Sequence, residues 1–370
     1  MNRVPHPILH IDGAHGEGGG QLVRTAVALA AISGRPLHMR NIRARRAKPG
    51  LAAQHLTAVR AVAALCGATV EGAAVGSGEL TFVPQTVRGG DYRFDVSTAG
   101  SITLVLQALL PVLLAADRPS RVTIRGGTDV RGAPPMDYLA CVVLPLLARM
   151  GAETLMIVER RGYFPRGGGS VTLETRPATL KPLVIDQAGD LRHIAGIAHV
   201  ANLPADIARR MSRSAADSLQ GMGVPVQIDA RILSPDAALG MGGAIVLWAK
   251  TEHALLGAAR VAQRGVPAEG LGTDAAEELR ADIACDAAVD VHACDQMLIH
   301  LALADAASRL TCRCLSNHAR SAIWLIEQFL PVRFHVTEAD AGASIEVEPC
   351  GSARPHRIAR ATTDCPRPTP

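Results

Sequence analysis

Aromatic residues are scarce in this chain. They make up 3% of 370 residues, with two tryptophans, three tyrosines and five phenylalanines. A platform that stacks successive bases of single-stranded nucleic acid has little to build on. No apolar run reaches the roughly 20 residues of a bilayer-spanning helix. Met1 to His10 lack the apolar segment of a secretory signal. The eight cysteines include no C-x-x-C pair, so a four-ligand structural zinc site is not expected. Reduced, mostly buried thiols in a cytoplasmic protein are the expectation. A disordered chain is excluded, because 48% of residues are hydrophobic and only 19% are charged. The net charge of +4 is mildly basic, which permits a nucleic-acid partner without demanding one.

What is present is punctuation by glycine. A strand signal at Ile8 to Asp12 runs into Gly13-Ala14-His15-Gly16-Glu17-Gly18-Gly19-Gly20, then into an apolar helix stopped by Gly34 and Pro36. A strand, a basic loop, a helix from Ala52 to Leu65 and two strands follow. The same order recurs from Tyr92: strand, small-residue turn, helix Ile102 to Ala115, strand, loop, helix Met136 to Met150, two strands. "LCGATVE" and "RMGAETL" close the second helix of each unit, about 84 positions apart, as expected of an internal repeat. A third unit is read late, with helices Asp295 to Ala304 and His318 to Phe329. The stretch from Val184 to about Asp282 has its own helix signals, Ala205 to Met222 and His253 to Gln263, and its own strand signals. The fold expected is α/β: three β-α-β-α-β-β units with a smaller inserted α/β domain. Residues 1–183 and 283–350 form the main domain, 184–282 the insert, and 351–370 a loose Pro- and Arg-rich tail.

Several constellations could carry chemistry. The glycine-rich turn opens a helix, which offers free N–H groups and a positive dipole end to phosphate. It is not a Walker loop, since no G-K-[ST] follows, and it lacks the dinucleotide-binding spacing. Glu17 inside such a loop would repel phosphate unless a divalent cation bridges them, a role that suits Mg²⁺. Otherwise Glu17 merely complements the helix dipole. Arg43, Arg45, Arg46 and Lys48 form a basic run that is either a phosphate-binding fork set or a solvated surface. Arg24 lies one turn past the glycine loop, and Gln54 and His55 follow the basic run. Thr98 to Ser101 opens a helix that carries Gln107; a plain N-cap turn is the simpler reading. Tyr163 to Gly169 reads as a glycine-rich hairpin or bulge. His318 opens a helix after Ser316-Asn317, either as a cap neighbour or as a nucleophile. Asp295-Gln296 could offer a carboxylate and an amide, or simply an N-cap.

These segments together resemble one family. "IDGAHGEGGGQLVRTA", "IRARRAKPGLAAQHLTAV", "VRGGDYRF", "TAGSITLVLQALLP", "GGTDVRGAPPMDY", "GYFPRGGG", "CDQMLIHLALA" and "FLPVRF" are similar to the RNA 3′-terminal phosphate cyclases, over most of Ile11 to Glu348. The resemblance implies units like the C-terminal domain of a translation initiation factor, with a thioredoxin-like insert. It implies an enzyme, a ligase that converts an RNA 3′-phosphate to a 2′,3′-cyclic phosphate with ATP and a divalent metal, Mg²⁺ or Mn²⁺. The implied route is adenylation of a histidine, transfer of AMP to the RNA end, and attack by the vicinal 2′-OH. The histidine would be His318, and Glu17 would hold the metal. Arg24, Arg43 and Arg46 would bind phosphates. Gln54, His55, Gln107, Pro134, His292, Asp295 and Gln296 would line the nucleotide pocket. The partners would be ATP and RNA with a 3′-phosphate, with no membrane, and the chain a monomer or homodimer.

Four positions depart from the family pattern. Val291 and His292 stand where it usually carries Glu-Tyr, Asp305 replaces a glycine, and Arg161 a histidine. A non-cyclising branch acting in ribosome assembly shares the fold but lacks the nucleophilic histidine, so His318 argues against it. The carboxyvinyl transferases share the architecture and match the glycine loop and basic run poorly.

Overall fold

The computed structural model describes residues 6–340 and 342–350. The tail expected at 351–370 lies outside the described residues. β1 (Leu9–Asp12) leads through the glycine turn into α1 (Gly20–Ser33), and β2 (Leu37–Arg40) pairs parallel to β1. α1 stops at Gly34, whose φ of 71° is left-handed and whose N–H returns to Ala30 O. α2 (Ala53–Cys66) ends the same way at Gly67, and β3 (Thr69–Glu71) and β4 (Leu80–Val83) complete a sheet of order β1-β2-β4-β3.

β5 (Asp91–Asp95), α3 (Ile102–Leu114) and β6 (Ser120–Gly126) follow. The single helix expected from Met136 to Met150 is three segments in line: α4 (Met136–Tyr138), a π-helical stretch (Leu139–Val143) and α5 (Leu144–Arg149). Pro145 has no N–H to give to the carbonyl four residues back, and the ladder widens just before it. β7 (Thr154–Gly162) and β8 (Gly169–Thr175) close the second sheet, whose order β7-β8-β6-β5 matches the first.

β9 (Val184–Ile185) comes next, then β10 (Leu191–Ala201), α6 (Asp206–Ser218), β11 (Val226–Leu233), β12 (Ala238–Leu239), β13 (Gly242–Thr251), β14 (Leu255–Val261) and α7 (Ala268–Ala284). β12 extends the edge of the second sheet beside β7. β11-β10-β13-β14 form a sheet that packs on α6 and α7 around its own core of Ile194, Val200, Met211, Leu247 and Leu279. The last elements are α8 (Val291–Ala302), β15 (Ser308–Cys312), α9 (Asn317–Phe329), β16 (Val332–Ala339) and β17 (Gly342–Pro349). Their sheet has the order β16-β17-β15-β9, again the pattern of the first.

Two expectations are corrected, and two expected domain boundaries fall across elements. The segment His253 to Gln263 is the strand β14, not a helix. A short apolar run such as Leu255 to Ala259 suits a buried strand as well as a helix, and Gly257 is pressed against Val142 and Tyr138, leaving no room for a Cβ. Val184–Ile185 pair with Arg309–Leu310, so the boundary before residue 184 cuts a strand from its sheet. The boundary at 282 falls inside α7. Finally, α8 begins at Val291 with Asp290 as its cap, so Asp295 lies more than a turn inside the helix.

Asp290 also locks three elements together. Its Oδ1 accepts from the Tyr138 hydroxyl at 2.6 Å and from the N–H groups of His292 and Ala293, and its Oδ2 from Gly257 N at 2.8 Å. Removing a buried carboxylate leaves these donors unpaired. Asp290→Ala should lower the unfolding free energy by about 3 kcal/mol and Tyr138→Phe by about 1 kcal/mol. Urea denaturation of each variant checks this; equal effects would mean that the cap and the Gly257 bond contribute nothing.

Candidate functional site

The N-terminal turns of α1, α2, α3, α8 and α9 border one cavity of about 700 Å³. Glu17, Arg24, Arg43, Arg46, Gln54, His55, Gln107, Pro134, His292, Asp295, Gln296 and His318 all line it. They come from positions spread over 302 residues of sequence, brought together because the helices start at the same end of the molecule.

At the mouth, His318 Nδ1 lies 2.5 Å from Glu17 Oε2. Arg46 holds the other carboxylate oxygen. Glu17 thus orients the imidazole through one nitrogen, and Nε2 makes no hydrogen bond or ion pair among the described residues. Ser316 caps α9 by accepting from Ala319 N at 2.9 Å, and its hydroxyl donates to Asp295 at 2.6 Å. Burial raises the Asp295 pKa to about 6. The glycine turn closes on this helix: a Cβ on Gly16 would strike the Ser321 hydroxyl, and His15 stacks on Trp324 at 3.6 Å.

Arg24 is buried, 7% exposed, and its guanidinium has no hydrogen bond or ion pair among the described residues. Burial lowers its pKa to about 10, so it remains charged at neutral pH. An unpaired buried cation is costly, and an anion entering the cavity removes that cost. Gln21 Oε1 and His300 Nδ1, both facing the same cavity, are also buried without partners.

Several expected binders are engaged elsewhere. Arg43 Nη1 donates to Lys48 O and Gly50 O at 2.8 and 2.7 Å, closing the basic loop on itself. Burial and the charge of Arg46 lower its pKa. His55 Nδ1 accepts from Ala52 N at 3.1 Å, and its ring fills the space that a Cβ on Gly20 would need. Burial, with Arg24 and Arg43 nearby, drives its pKa down to about 3, so His55 is a neutral wall of the cavity. Gln54 accepts from Ser101 N, and Ser101 caps α3 by accepting from Leu104 N. Gly167 sits against the backbone of Thr98 and Ala99, so the glycine-rich hairpin serves as a close-contact turn.

Sequence reasoning missed part of the wall. Arg131 lies in the quoted "GGTDVRGAPP" and could have been chosen as a cation beside Pro134. Arg260 and Gln263 reach the cavity from β14 and the residues after it; reading that stretch as a helix hid them. Glu278 of α7 binds both Arg260 and, at 3.2 Å, His292 Nε2. Hydrogen bonding to Glu278 raises the His292 pKa to about 9 despite partial burial, making it a cation at neutral pH.

Among the described residues, one group of three could offer converging metal ligands: Asp129, Asp137 and His199. The Arg161 guanidinium already sits on both carboxylates, at 2.7 to 3.2 Å. That place holds a cation of the chain's own. Glu17 also has both oxygens engaged, by Arg46 and His318, but it is partly exposed where the Asp129 group is buried. A single carboxylate beside a cavity that holds an unpaired buried arginine is a donor set that Mg²⁺ accepts when phosphate oxygens and water supply the other ligands.

A family model described as RNA 3′-terminal phosphate cyclase matches residues 15–336. The chain is 52% identical over 329 residues to the RNA 3′-terminal phosphate cyclase of Nitrosospira multiformis, covering 89% of this chain and 93% of the relative. It is 46% identical over 327 residues to the protein of that name from Hyperthermus butylicus, with 87% and 91% covered. It is 42% identical over 345 residues to that of Pyrobaculum neutrophilum, with 93% and 99% covered. With the model spanning most of the chain and these relatives aligned nearly end to end, the chain belongs to the RNA 3′-terminal phosphate cyclase family.

Proposed function

We propose that this protein converts an RNA 3′-phosphate to a 2′,3′-cyclic phosphate with ATP, through a covalent histidinyl-AMP. The observation that carries this is His318: Glu17 holds its Nδ1, and its Nε2 is free at the mouth of a cavity containing an unpaired buried arginine. With Nδ1–H donated to Glu17, the lone pair is on Nε2. That nitrogen attacks the α-phosphorus of ATP, a P–N bond forms and pyrophosphate leaves. An oxygen of the RNA 3′-phosphate then attacks the same phosphorus and frees His318. The 2′-OH attacks the RNA phosphorus, the ring closes and AMP leaves with the bridging oxygen. Splitting the reaction in this way replaces one difficult step by easier ones.

Arg24 is the strongest candidate for a phosphate ligand, because the protein gives it no other partner. Arg46 and Arg43 would assist, Arg43 chiefly by shaping the loop. Asp295, Gln296, His292, Gln107, Gln54, His55 and Pro134 would wall the nucleotide. Glu17 would hold the divalent metal, whose charge would offset that of the triphosphate. The matching order of three sheets supports reading the main body as a threefold repeat. The separate core of β10 to α7 supports reading that unit as an insert. Among the described residues no helix is long and apolar enough to cross a membrane.

Three outcomes follow. Incubation with α-labelled ATP and Mg²⁺, then denaturation, should leave label on the wild type and none on His318→Ala; equal labelling would refute the nucleophile. Glu17→Ala should slow self-adenylation by ~100-fold or more, since both histidine orientation and metal charge are lost. It should affect cyclisation of pre-adenylated RNA less, and equal loss in both would refute its place in the first step. Third, His292 contributes a pocket cation below its pKa of about 9. Nucleotide affinity should therefore fall as pH rises through 9, and Glu278→Gln should move that fall toward the ordinary histidine range near pH 6.5. Binding titrations across pH check it; a profile unmoved by Glu278→Gln would show that His292 bears no charge that matters.

A further inference from the structure

One buried cluster stands outside the chemistry above. Arg161, on β7, directs Nη2 to both oxygens of Asp137 at 2.7 and 2.8 Å, and Nη1 to both oxygens of Asp129 at 3.2 and 3.1 Å. Thr128 donates its hydroxyl to Asp129 at 2.7 Å. His199, on β10, stands 3.3 Å from Arg161 Nη1, 3.2 Å from Asp137 Oδ2 and 3.7 Å from Asp129 Oδ2. Asp129 and His199 are almost wholly buried. Two carboxylates and one guanidinium leave a net negative charge, which a protonated His199 cancels. Burial opposes that proton, and the two nearby carboxylates outweigh it, so the His199 pKa is raised.

The place of the cluster gives it a purpose. Asp129 and Asp137 stand at the two ends of one loop, and Arg131, Gly132, Ala133, Pro134 and Pro135 between them line the nucleotide cavity. Arg161 closes the loop at its base. Thr103 pins its far side by donating to Pro134 O at 2.8 Å. His199 belongs to the sheet whose β14 and following residues bring Arg260 and Gln263 to the cavity. A buried ionic cluster is weak evidence for stability as such, because well-packed apolar residues often do as well. Its geometric effect is specific: it fixes one wall and ties it to the unit that supplies another.

We propose that Arg161 is a positioning residue for nucleotide binding. By clasping Asp129 and Asp137 it holds the Arg131–Pro135 wall in place, and through these carboxylates, which it shares with His199, it sets that wall against the one carrying Arg260 and Gln263. This rests on the reading that the cavity takes ATP. The full-length chain is tested as Arg161→Met, Arg161→Lys and His199→Gln. Self-adenylation is followed against ATP concentration, and binding of a non-hydrolysable ATP analogue is measured separately. Loss of positioning should raise the half-saturating ATP concentration of Arg161→Met by about tenfold, with the plateau rate within about twofold of wild type. Arg161→Lys should recover most of the loss, and His199→Gln should show a smaller shift of the same kind.

An unchanged half-saturation in Arg161→Met and His199→Gln overturns the proposal. So does a fall in plateau rate at unchanged half-saturation. If Arg161→Met does not fold, His199→Gln decides; if neither folds, the cluster is a folding element and the proposal fails. A wild type that binds the analogue but takes no label refutes the adenylation reading alone, and weaker analogue binding by the variants still upholds Arg161. A wild type that binds no nucleotide refutes both.

Discussion

Helix α1 packs against α2, α3 and α9 at once, and the site depends on how closely those helices approach. Its central turns, Ala26 to Ala30, are completely buried. Alanines at Ala26, Ala28 and Ala30 keep the girth small where three neighbours converge, while Val27 and Leu29 fill the gaps. With the helices brought together at that spacing, their first turns share one end of the molecule. Glu17 and Arg24, Gln107 and His318 thereby become neighbours although they come from three distant stretches of chain. Glycines at the entrance make the approach possible: Gly16 leaves room for Ser321, and Gly20 for the His55 ring.

Charge in the cavity is arranged by use. His55 is kept neutral by burial, Arg43 is committed to backbone carbonyls, and Glu17 is shared by Arg46 and His318. Arg24 alone among these is buried, charged and unanswered. That contrast separates residues that shape the cavity from residues that await a ligand. His292 adds a charge of another origin, since Glu278 belongs to the unit of β10 to α7. The smaller unit thus acts electrostatically on a pocket built mainly by helices of the other units.

Much of this was legible in the sequence, wherever local chemistry decides the structure. Gly34 and Gly67 end helices because they accept left-handed backbone, and their spacing announced α1 and α2. The glycine turn, the basic loop and His318 could be marked as candidates from residue type alone. What depended on distant partners was not legible. Leu255 to Val261 became a strand because β13 lies beside it. Two residues, Val184 and Ile185, became a strand because Arg309 and Leu310 receive them. Asp290 and Asp295 are both plausible helix caps, and only the folded chain shows that His292 and Ala293 N–H donate to Asp290, which Tyr138 and Gly257 also hold. The idleness of Arg24 and the full occupation of Arg161 are likewise properties of the folded chain.

The pairing of β9 with β15 has a consequence for how the molecule comes into being. The strands are adjacent in space, yet more than a hundred residues separate them. The first sheet, and the second apart from its edge strand β12, can close from nearby segments as the chain leaves the ribosome, and the unit from β10 to α7 can gather around its own core. The last sheet has to hold its opening strand in reserve until that whole stretch has been synthesised, because a loop of this length must close before the pairing brings any return. His318 lies beyond that point. The wall that α9 gives the cavity, His318, Ala322 and Ile326, is therefore the last to be made.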